Sequence, residues 1–149
     1  MKKILLPFLI LFISCNKIVD ASQNIYDETL FNNDKSNCDQ ITIRLYTQKS
    51  KMATKVYNTL STEKVYKATS QNQIKSFDKI FENAEKTNYC CCPKANYSIE
   101  FLKSKKVLNT YFVDTIEFKN RVRIYEERWQ YSFIIEKQKW KNYLNEINN

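Results

Sequence analysis

The chain has 149 residues and a formal net charge of +8, and it contains neither glycine nor histidine. The absence of glycine excludes glycine-rich phosphate loops and the G-x-S-x-G elbow of hydrolases. The absence of histidine removes the usual general base of serine and cysteine hydrolases and the commonest zinc ligand. The composition still allows acid–base catalysis by a pair of carboxylates. The candidates are Asp114, Glu117, Glu126 and Glu127, but their spacing singles out none of them. We therefore predict no catalytic residue, no cofactor and no metal ligand.

The first fourteen residues predict an export signal. Lys2 and Lys3 form a positive start, and an apolar stretch follows from Leu5 to Ile13. This stretch is too short to span a bilayer, which needs about 20 apolar residues. It matches the apolar region of a secretory signal, which runs about 7–15 residues. Residues 1–14 are therefore expected to be a signal peptide.

The segment Phe12-Ile13-Ser14-Cys15 resembles a bacterial lipobox, in which an apolar, a variable and a small residue precede a cysteine. This resemblance to lipoproteins implies that the signal is cut before Cys15 and that the thiol receives a diacylglycerol, with the new amine also acylated. Each buried CH₂ of such chains contributes about 0.8 kcal/mol to membrane attachment. The expected location is the cell envelope, at the outer membrane facing the periplasm. The alternatives are an ordinary signal peptide with an incidental cysteine and an uncleaved anchor.

After the cysteine the chain is polar, with several asparagines and few apolar side chains up to about residue 39. This composition predicts that residues 15–39 are a lipidated cysteine followed by a flexible tether. Two apolar pairs, Ile25-Tyr26 and Leu30-Phe31, offer an alternative in which the segment docks on the body.

Losing Lys2 and Lys3 with the signal leaves a net charge of 8 − 2 = +6. A basic surface can bind nucleic acid or anionic membrane. The lysines are scattered, however, and an exported lipoprotein seldom meets cytoplasmic nucleic acid. We predict no nucleic-acid partner.

Residues 40–149 are expected to form a single domain that begins with strands. Apolar and polar residues alternate over 41–46, which is the period of a half-buried strand. Weaker alternation over 55–60 and 63–68 predicts a hairpin.

The period then changes to that of a helix. Apolar residues from Ile74 to Ala84 fall on one helical face, and the capping-box pattern Ser70-x-x-Gln73 precedes them. A helix is predicted over 71–86.

Strand patterns return after residue 96, and the chain ends in a helix. The lysines Lys103, Lys105 and Lys106 indicate a hairpin turn, and apolar residues from Trp140 to Ile147 recur at helical spacing. The predicted strands of this half cover 97–101, 107–114, 121–125 and 131–135.

This order predicts an α+β fold. We expect an antiparallel sheet of about five to six strands, with a central helix and a C-terminal helix packed on one face. Most aromatic residues would then belong to the core. A ligand pocket lined by Tyr97, Tyr111 and Tyr131 is the functional alternative.

Four cysteines remain once Cys15 carries lipid, and an even number in an exported protein predicts disulfides. A bond between neighbours is strained, so we expect Cys38 to pair with one of Cys90, Cys91 and Cys92. Closing so long a loop would contribute about 3–4 kcal/mol. Cys90 and Cys92 would then pair with each other or stay free. The alternatives are free thiols and a thiolate metal site, although adjacent cysteines point apart.

The stretches CCCP, YFVDT and YSFII, followed by a tryptophan-bearing helix, resemble small lipoproteins of Bacteroidota. That resemblance implies no activity and no functional residue. Tyrosine and arginine suit contact surfaces. We therefore expect a non-enzymatic binding module of the cell envelope, with membrane lipid and an envelope protein as partners. The alternatives are a cysteine-based metal or redox protein, an envelope inhibitor or immunity protein, and a carboxylate enzyme acting on glycans.

Overall fold

The structure, a computed structural model, describes residues 26–46, 61–87, 94–127 and 131–148. Its helices are α1 (26–37), α2 (Gln71–Lys79) and α3 (Lys137–Glu146). Its strands are β1 (Gln40–Tyr46), β2 (Thr62–Ala68), β3 (Glu85–Thr87), β4 (Tyr97–Lys103), β5 (Lys106–Asp114), β6 (Arg121–Tyr125) and β7 (Ser132–Glu136).

The strands form one sheet in the order β2-β1-β4-β5-β6-β7-β3, and every neighbouring pair is antiparallel. The predicted α+β class is confirmed. The sheet has seven strands rather than five to six, and the strand that the sequence did not predict is β3. The strand expected over 55–60 lies outside the described residues.

The core lies between the helices and one face of the sheet. Each helix inserts an aromatic residue there: Phe31 from α1, Phe77 from α2 and Trp140 from α3. Alternate residues of the strands share that face because side chains point up and down in turn. They are Ile41, Ile43, Ile99, Phe101, Tyr111, Val113, Val122, Ile124 and Ile135. The prediction of helices on one face is therefore confirmed for α2 and α3, and α1 joins them.

None of the helices in the described ranges combines the length and the apolar character that crossing a bilayer requires. About 20 apolar residues are needed to span the hydrocarbon.

The central helix is shorter than its predicted span of 71–86. It starts as expected, since the Ser70 side chain accepts a hydrogen bond from the Gln73 amide at 3.2 Å and the Gln73 side chain returns one to the Ser70 amide. The helix ends at Lys79, and Asn83 adopts a left-handed φ of 61°. Such a residue stops a helix. The chain then continues as β3, because pairing with the edge of β7 overrides helical propensity.

The predicted tether is wrong over its second half. Residues 26–37 form α1, and Phe31 is only 2% exposed. Its ring lies 5.0 Å from that of Tyr111 and 5.2 Å from that of Phe81, both edge-to-face. Burying this aromatic side chain against other rings compensates the cost of ordering the polar segment. The folded unit thus includes residues 26–39 as well as the predicted domain.

Candidate functional site

A cavity of about 160 Å³ opens beside the first turns of α1. Two tyrosines, Tyr111 and Tyr131, form part of its wall, and its polar lining also includes Asn109 and three acidic residues, Asp27, Glu126 and Glu127. No basic residue lines it among those described. In a chain of net charge +8, this is a local concentration of negative charge.

The cavity exists because β5 and β6 separate. They pair only where Phe112–Asp114 faces Arg123–Tyr125. Beyond Tyr125 the chain turns back toward β7, and the Glu126 amide donates to the Tyr131 carbonyl at 3.2 Å. In the described part of the chain, no strand takes the place of β6 beside the first half of β5. The start of α1 covers the gap instead.

Helix α1 presents two lining residues of the cavity, and the residue that bonds to Tyr111, at helical spacing. Asp27, Leu30 and Asp34 follow each other at i, i+3 and i+7, which places them on one face. Asp34 Oδ2 accepts a hydrogen bond from Asn109 Nδ2 at 3.0 Å and one from the Tyr111 hydroxyl at 3.3 Å. These bonds hold the helix against β5 and orient the Tyr111 ring.

The hydroxyl of Tyr131 is a buried polar group of the cavity. Its side chain is 1% exposed, and its hydroxyl has no hydrogen-bond partner among the described residues. A buried hydroxyl without a hydrogen-bond partner destabilises a protein by about 1–3 kcal/mol. A ligand that forms a hydrogen bond with this hydroxyl would recover that free energy. The Lys86 ammonium lies 5.2 Å from the Tyr131 ring centroid and pairs with Glu28. This contact shows that the ring already accepts a cation on its outer side.

The electrostatic field in the cavity is negative. Burial, followed by the charges of Glu28 and Asp27, raises the pKa of Tyr131. Burial, followed by the charge and hydrogen bond of Asp34, likewise raises the pKa of Tyr111. The raised pKa values favour the protonated form of both phenols at neutral pH. A cationic group would be favoured by the same field.

The three tyrosines of the predicted pocket do not all meet. Tyr111 and Tyr131 line the cavity, but Tyr97 packs edge-to-face on Trp140 at 5.6 Å in the core. Tyr97 shares its sheet face with Tyr111, which the alternation of residues predicts. Tyr97 contacts Trp140 because of where α3 packs on the sheet, and no local sequence pattern predicts that contact.

Two of the four candidate acids have structural roles. Asp114 accepts hydrogen bonds from the amides of Lys94, Ile116 and Glu117 at 2.6–2.9 Å, which shapes the loop after β5. The two carboxylate oxygens of Glu117 accept hydrogen bonds from Arg123 Nε at 2.6 Å and from Arg123 Nη2 at 2.8 Å. The other two candidates, Glu126 and Glu127, reach the cavity.

The predicted cysteine sites are resolved only in part. Cys38 is a free, buried thiol, and its Sγ donates to the Lys35 carbonyl oxygen at 3.2 Å. Burial raises the pKa of this thiol, which makes it a poor nucleophile. The other candidates lie outside the described residues: Cys15, Cys90, Cys91 and Cys92.

The thiol of Cys38 is free and belongs to the core cluster of buried residues. The expected bond to Cys38 is thus not formed, whereas a bond between Cys90 and Cys92 stays a prediction.

In the described ranges, no three cysteine or acidic side chains converge closely enough to hold a metal ion. The three carboxylates of the cavity are therefore spread around its wall. They suit an extended cation that carries its own hydrogen-bond donors better than a bare metal ion.

A second cavity, of about 210 Å³, lies between α2 and α3. Ser76 donates to Glu146 at 2.6 Å and Lys139 donates to the Glu82 carbonyl at 2.7 Å, while the buried hydroxyl of Tyr143 has no hydrogen-bond partner among the described residues. Two acidic and two basic residues line this cavity. The tyrosine cavity is the better candidate for a cation-binding site, because the charged residues that line it in the described ranges are all acidic.

No protein-family model matches this chain, and no curated protein or solved structure matches it either. Similarity therefore assigns no ligand to the cavity. Sequence reasoning missed Asp27, Leu30, Asp34 and Asn109 as members of the site. A signal was present for the first three, because their spacing is that of one helical face.

Proposed function

We propose that this protein is a lipid-anchored, non-enzymatic binding module of the cell envelope that captures a cationic side chain in its tyrosine cavity. The observation that carries the proposal is the buried hydroxyl of Tyr131, which has no hydrogen-bond partner in the described part of the chain. Asp27, Glu126 and Glu127 line the same cavity. An ammonium or guanidinium group carries hydrogen-bond donors and a positive charge that complement these carboxylates.

The size of the cavity favours a side chain over a free metabolite. Small-molecule sites usually measure about 300–1,000 Å³, whereas this cavity has about 160 Å³. The end of one lysine or arginine fits such a volume. A partner protein that inserts a single basic residue would gain a desolvated, charge-assisted contact of the kind that dominates interfaces. An inhibitor or immunity protein of the envelope is a special case of this function.

The anchor is proposed from the lipobox pattern that ends at Cys15. Several acyl chains on that residue would keep the body at a membrane. The test compares the natural chain with Cys15→Ser, expressed from its own signal. We expect the natural protein to stay in the membrane fraction until detergent is added and the variant to leave it. Equal retention of both forms would refute lipid anchoring while leaving the cavity proposal intact.

The cavity is tested with single amino-acid probes. Calorimetric titration would compare N-acetyl-lysine amide and N-acetyl-arginine amide with N-acetyl-norleucine amide, which has the lysine shape without the charge. We expect the two cationic probes to bind and norleucine amide to bind at least about tenfold more weakly, since a charge-assisted hydrogen bond contributes about 1.5–3 kcal/mol.

Two variants locate the binding within the cavity. Glu127→Gln removes one lining charge and Tyr131→Phe removes the buried hydroxyl, and each should weaken lysine amide about three- to tenfold. Glu63→Gln, on exposed β2, is the charge-matched control and should bind as the natural protein does. Equal binding by all variants, or equal affinity for norleucine amide, would refute the assignment.

A carboxylate enzyme is the second candidate, because Asp27, Glu126 and Glu127 line one cavity. Two such groups could serve as acid and base toward a glycosidic bond. Chromogenic glycosides assayed between about pH 4 and 8 separate the two candidates. Turnover that disappears in Glu126→Gln would favour the enzyme, and absence of turnover would leave the binding module.

A further inference from the structure

The tip of the β4–β5 hairpin combines positive charge with exposed apolar surface. The tip, residues 103–108, contains Lys103, Lys105 and Lys106 and then Val107 and Leu108. Val107 is 46% exposed and Leu108 is 39% exposed. Lysines and apolar residues in one short exposed segment are typical of elements that rest on a lipid surface.

We propose that this hairpin tip binds the surface of an anionic phospholipid bilayer. Its lysines would contact the phosphate groups, and Val107 and Leu108 would enter the boundary between headgroups and acyl chains. The inference does not depend on the tyrosine cavity or on acylation of Cys15. It assigns the body a preferred orientation on the membrane.

The hairpin projects beyond the strands beside it. On one side β1 begins at Gln40, which pairs with Leu102, and Asp39 just before it contacts the turn through the Ser104 amide. On the other side the pairing of β5 with β6 begins only at Phe112. In the described sheet, residues 103–108 therefore pair with no strand outside the hairpin, which leaves their outer edges available to a surface.

An irregularity in β5 explains why two adjacent apolar residues are both exposed. Phe101 pairs with Asn109 but Leu102 pairs with Val107, so Leu108 is an extra residue without a cross-strand partner. A bulge of this kind redirects side chains that would otherwise alternate. Val107 and Leu108 therefore both lie at the surface beside the lysines.

Two residues of the turn, one of them a lysine, adopt an unfavourable backbone conformation. Ser104 and Lys105 have left-handed φ values of 49° and 67°, a conformation that glycine or asparagine normally supplies in a two-residue hairpin turn. The Ser104 amide donates to Asp39 Oδ2 at 2.8 Å, which fixes the turn.

A bilayer explains these features better than an acidic protein or nucleic acid does. Either polyanion would be satisfied by the lysines alone and would leave Val107 and Leu108 in water. Long lysine side chains can instead reach phosphates while neighbouring apolar groups are buried. Asp39 is the acidic residue that contacts the turn, and its carboxylate accepts the bond from the Ser104 amide.

The experiment measures binding to vesicles with a chain that starts at residue 16 and so carries neither signal nor lipid. This chain keeps every contact described here, since the first of them involve residues after 25. The vesicles contain either phosphatidylcholine alone or phosphatidylcholine with 30% phosphatidylglycerol. We expect binding to the anionic vesicles only, weakening as salt rises from about 0.05 to 0.5 M because the charges are screened.

Two triple variants separate the tip from the total charge. Lys103→Gln with Lys105→Gln and Lys106→Gln should lower affinity for anionic vesicles by roughly a hundredfold, at roughly fivefold per lysine. The control removes the same charge from lysines that are exposed on β2, α2 and α3, namely Lys67, Lys75 and Lys141. It should stay within about threefold of the natural chain.

Replacing Val107 and Leu108 with threonine, which keeps strand propensity, tests the apolar contribution and should weaken binding about tenfold. Far-ultraviolet circular dichroism verifies that each variant is folded. The proposal is overturned if the natural chain does not prefer anionic vesicles or if both triple variants lose equal affinity. It is also overturned if the threonine variant binds normally while polyglutamate competes fully, since the tip would then bind acidic macromolecules.

Discussion

Replacing Phe31 with alanine tests whether α1 is part of the folded body. The ring is 2% exposed and lies between 5.0 and 5.9 Å from the rings of Phe81, Phe101, Tyr111 and Phe133. Removing a buried phenylalanine costs about 3–5 kcal/mol, which includes the cavity left behind. We expect Phe31→Ala to lie in this range because four rings around the site limit its collapse. For a body of this size the melting temperature should fall by about 10–20 °C.

Urea unfolding followed by tryptophan fluorescence measures this loss, with thermal melting as a second readout. Phe31→Leu keeps much of the volume and should cost less than about half as much. Tyr26→Ala is the control on the same helix, since that side chain is 57% exposed, and it should change stability by less than about 0.5 kcal/mol. If Phe31→Ala is as stable as the control, residues 26–37 are a tether and the docking of α1 is refuted.

Three further predictions concern particular groups. Burial raises the pKa of Tyr143, and its hydroxyl lacks a hydrogen-bond partner among the described residues. The unfolded tyrosine loses its proton near pH 10 while the folded one keeps it. The contribution of this group to the free energy of unfolding is therefore fully present below about pH 10 and is lost as the pH rises above it. Tyr143→Phe should reduce the slope of the unfolding free energy against pH by up to about 1.4 kcal/mol per pH unit. Ser70→Ala should cost about 1 kcal/mol in urea unfolding, because it removes the cap of α2. Cys38 should resist a thiol reagent at pH 8 until the protein unfolds, because its thiol is buried and its pKa is raised.

Each of these has an outcome that would contradict it. An alkaline slope unchanged in Tyr143→Phe would mean that its phenol titrates normally. Ser70→Asp should restore the cap and remain within about 0.5 kcal/mol of the natural protein, so equal losses in both variants would exclude capping. Labelling of Cys38 as fast as that of a free peptide thiol would show that the end of α1 opens readily.

Local patterns predicted most of the sheet correctly. The alternation over 41–46 became β1, and the lysine turn between 97–101 and 107–114 became the β4–β5 hairpin. The capping box before α2 was also confirmed. These features succeed because the burial period and the cap depend on residues close together in the chain.

The errors occurred where distant residues decided the outcome. The end of the predicted helix 71–86 became β3 because the edge of β7 was available for pairing. The predicted tether became α1 because Phe31 found four aromatic rings that come from distant parts of the chain. The disulfide expected for Cys38 is not formed, because its thiol is buried in the core cluster that distant residues assemble.

The candidate site was predictable only in fragments. Tyr111 and Tyr131 were recognised as possible lining residues, and Glu126 and Glu127 as candidate acids, but no pattern joined them. They meet because β6 separates from β5 and α1 covers the gap. That geometry results from the packing of three elements and leaves no mark in any one of them.

The amino-acid sequence alone determined the α+β class, the antiparallel hairpins and the exclusion of glycine-dependent and histidine-dependent chemistry. These conclusions depend on composition and on periods of two and 3.6 residues, which are local properties of the chain. Only the tertiary structure decided that residues 26–37 belong to the body and that carboxylates and tyrosines share a cavity. Both result from contacts between residues far apart in sequence, and their free energy appears only when the whole chain is packed.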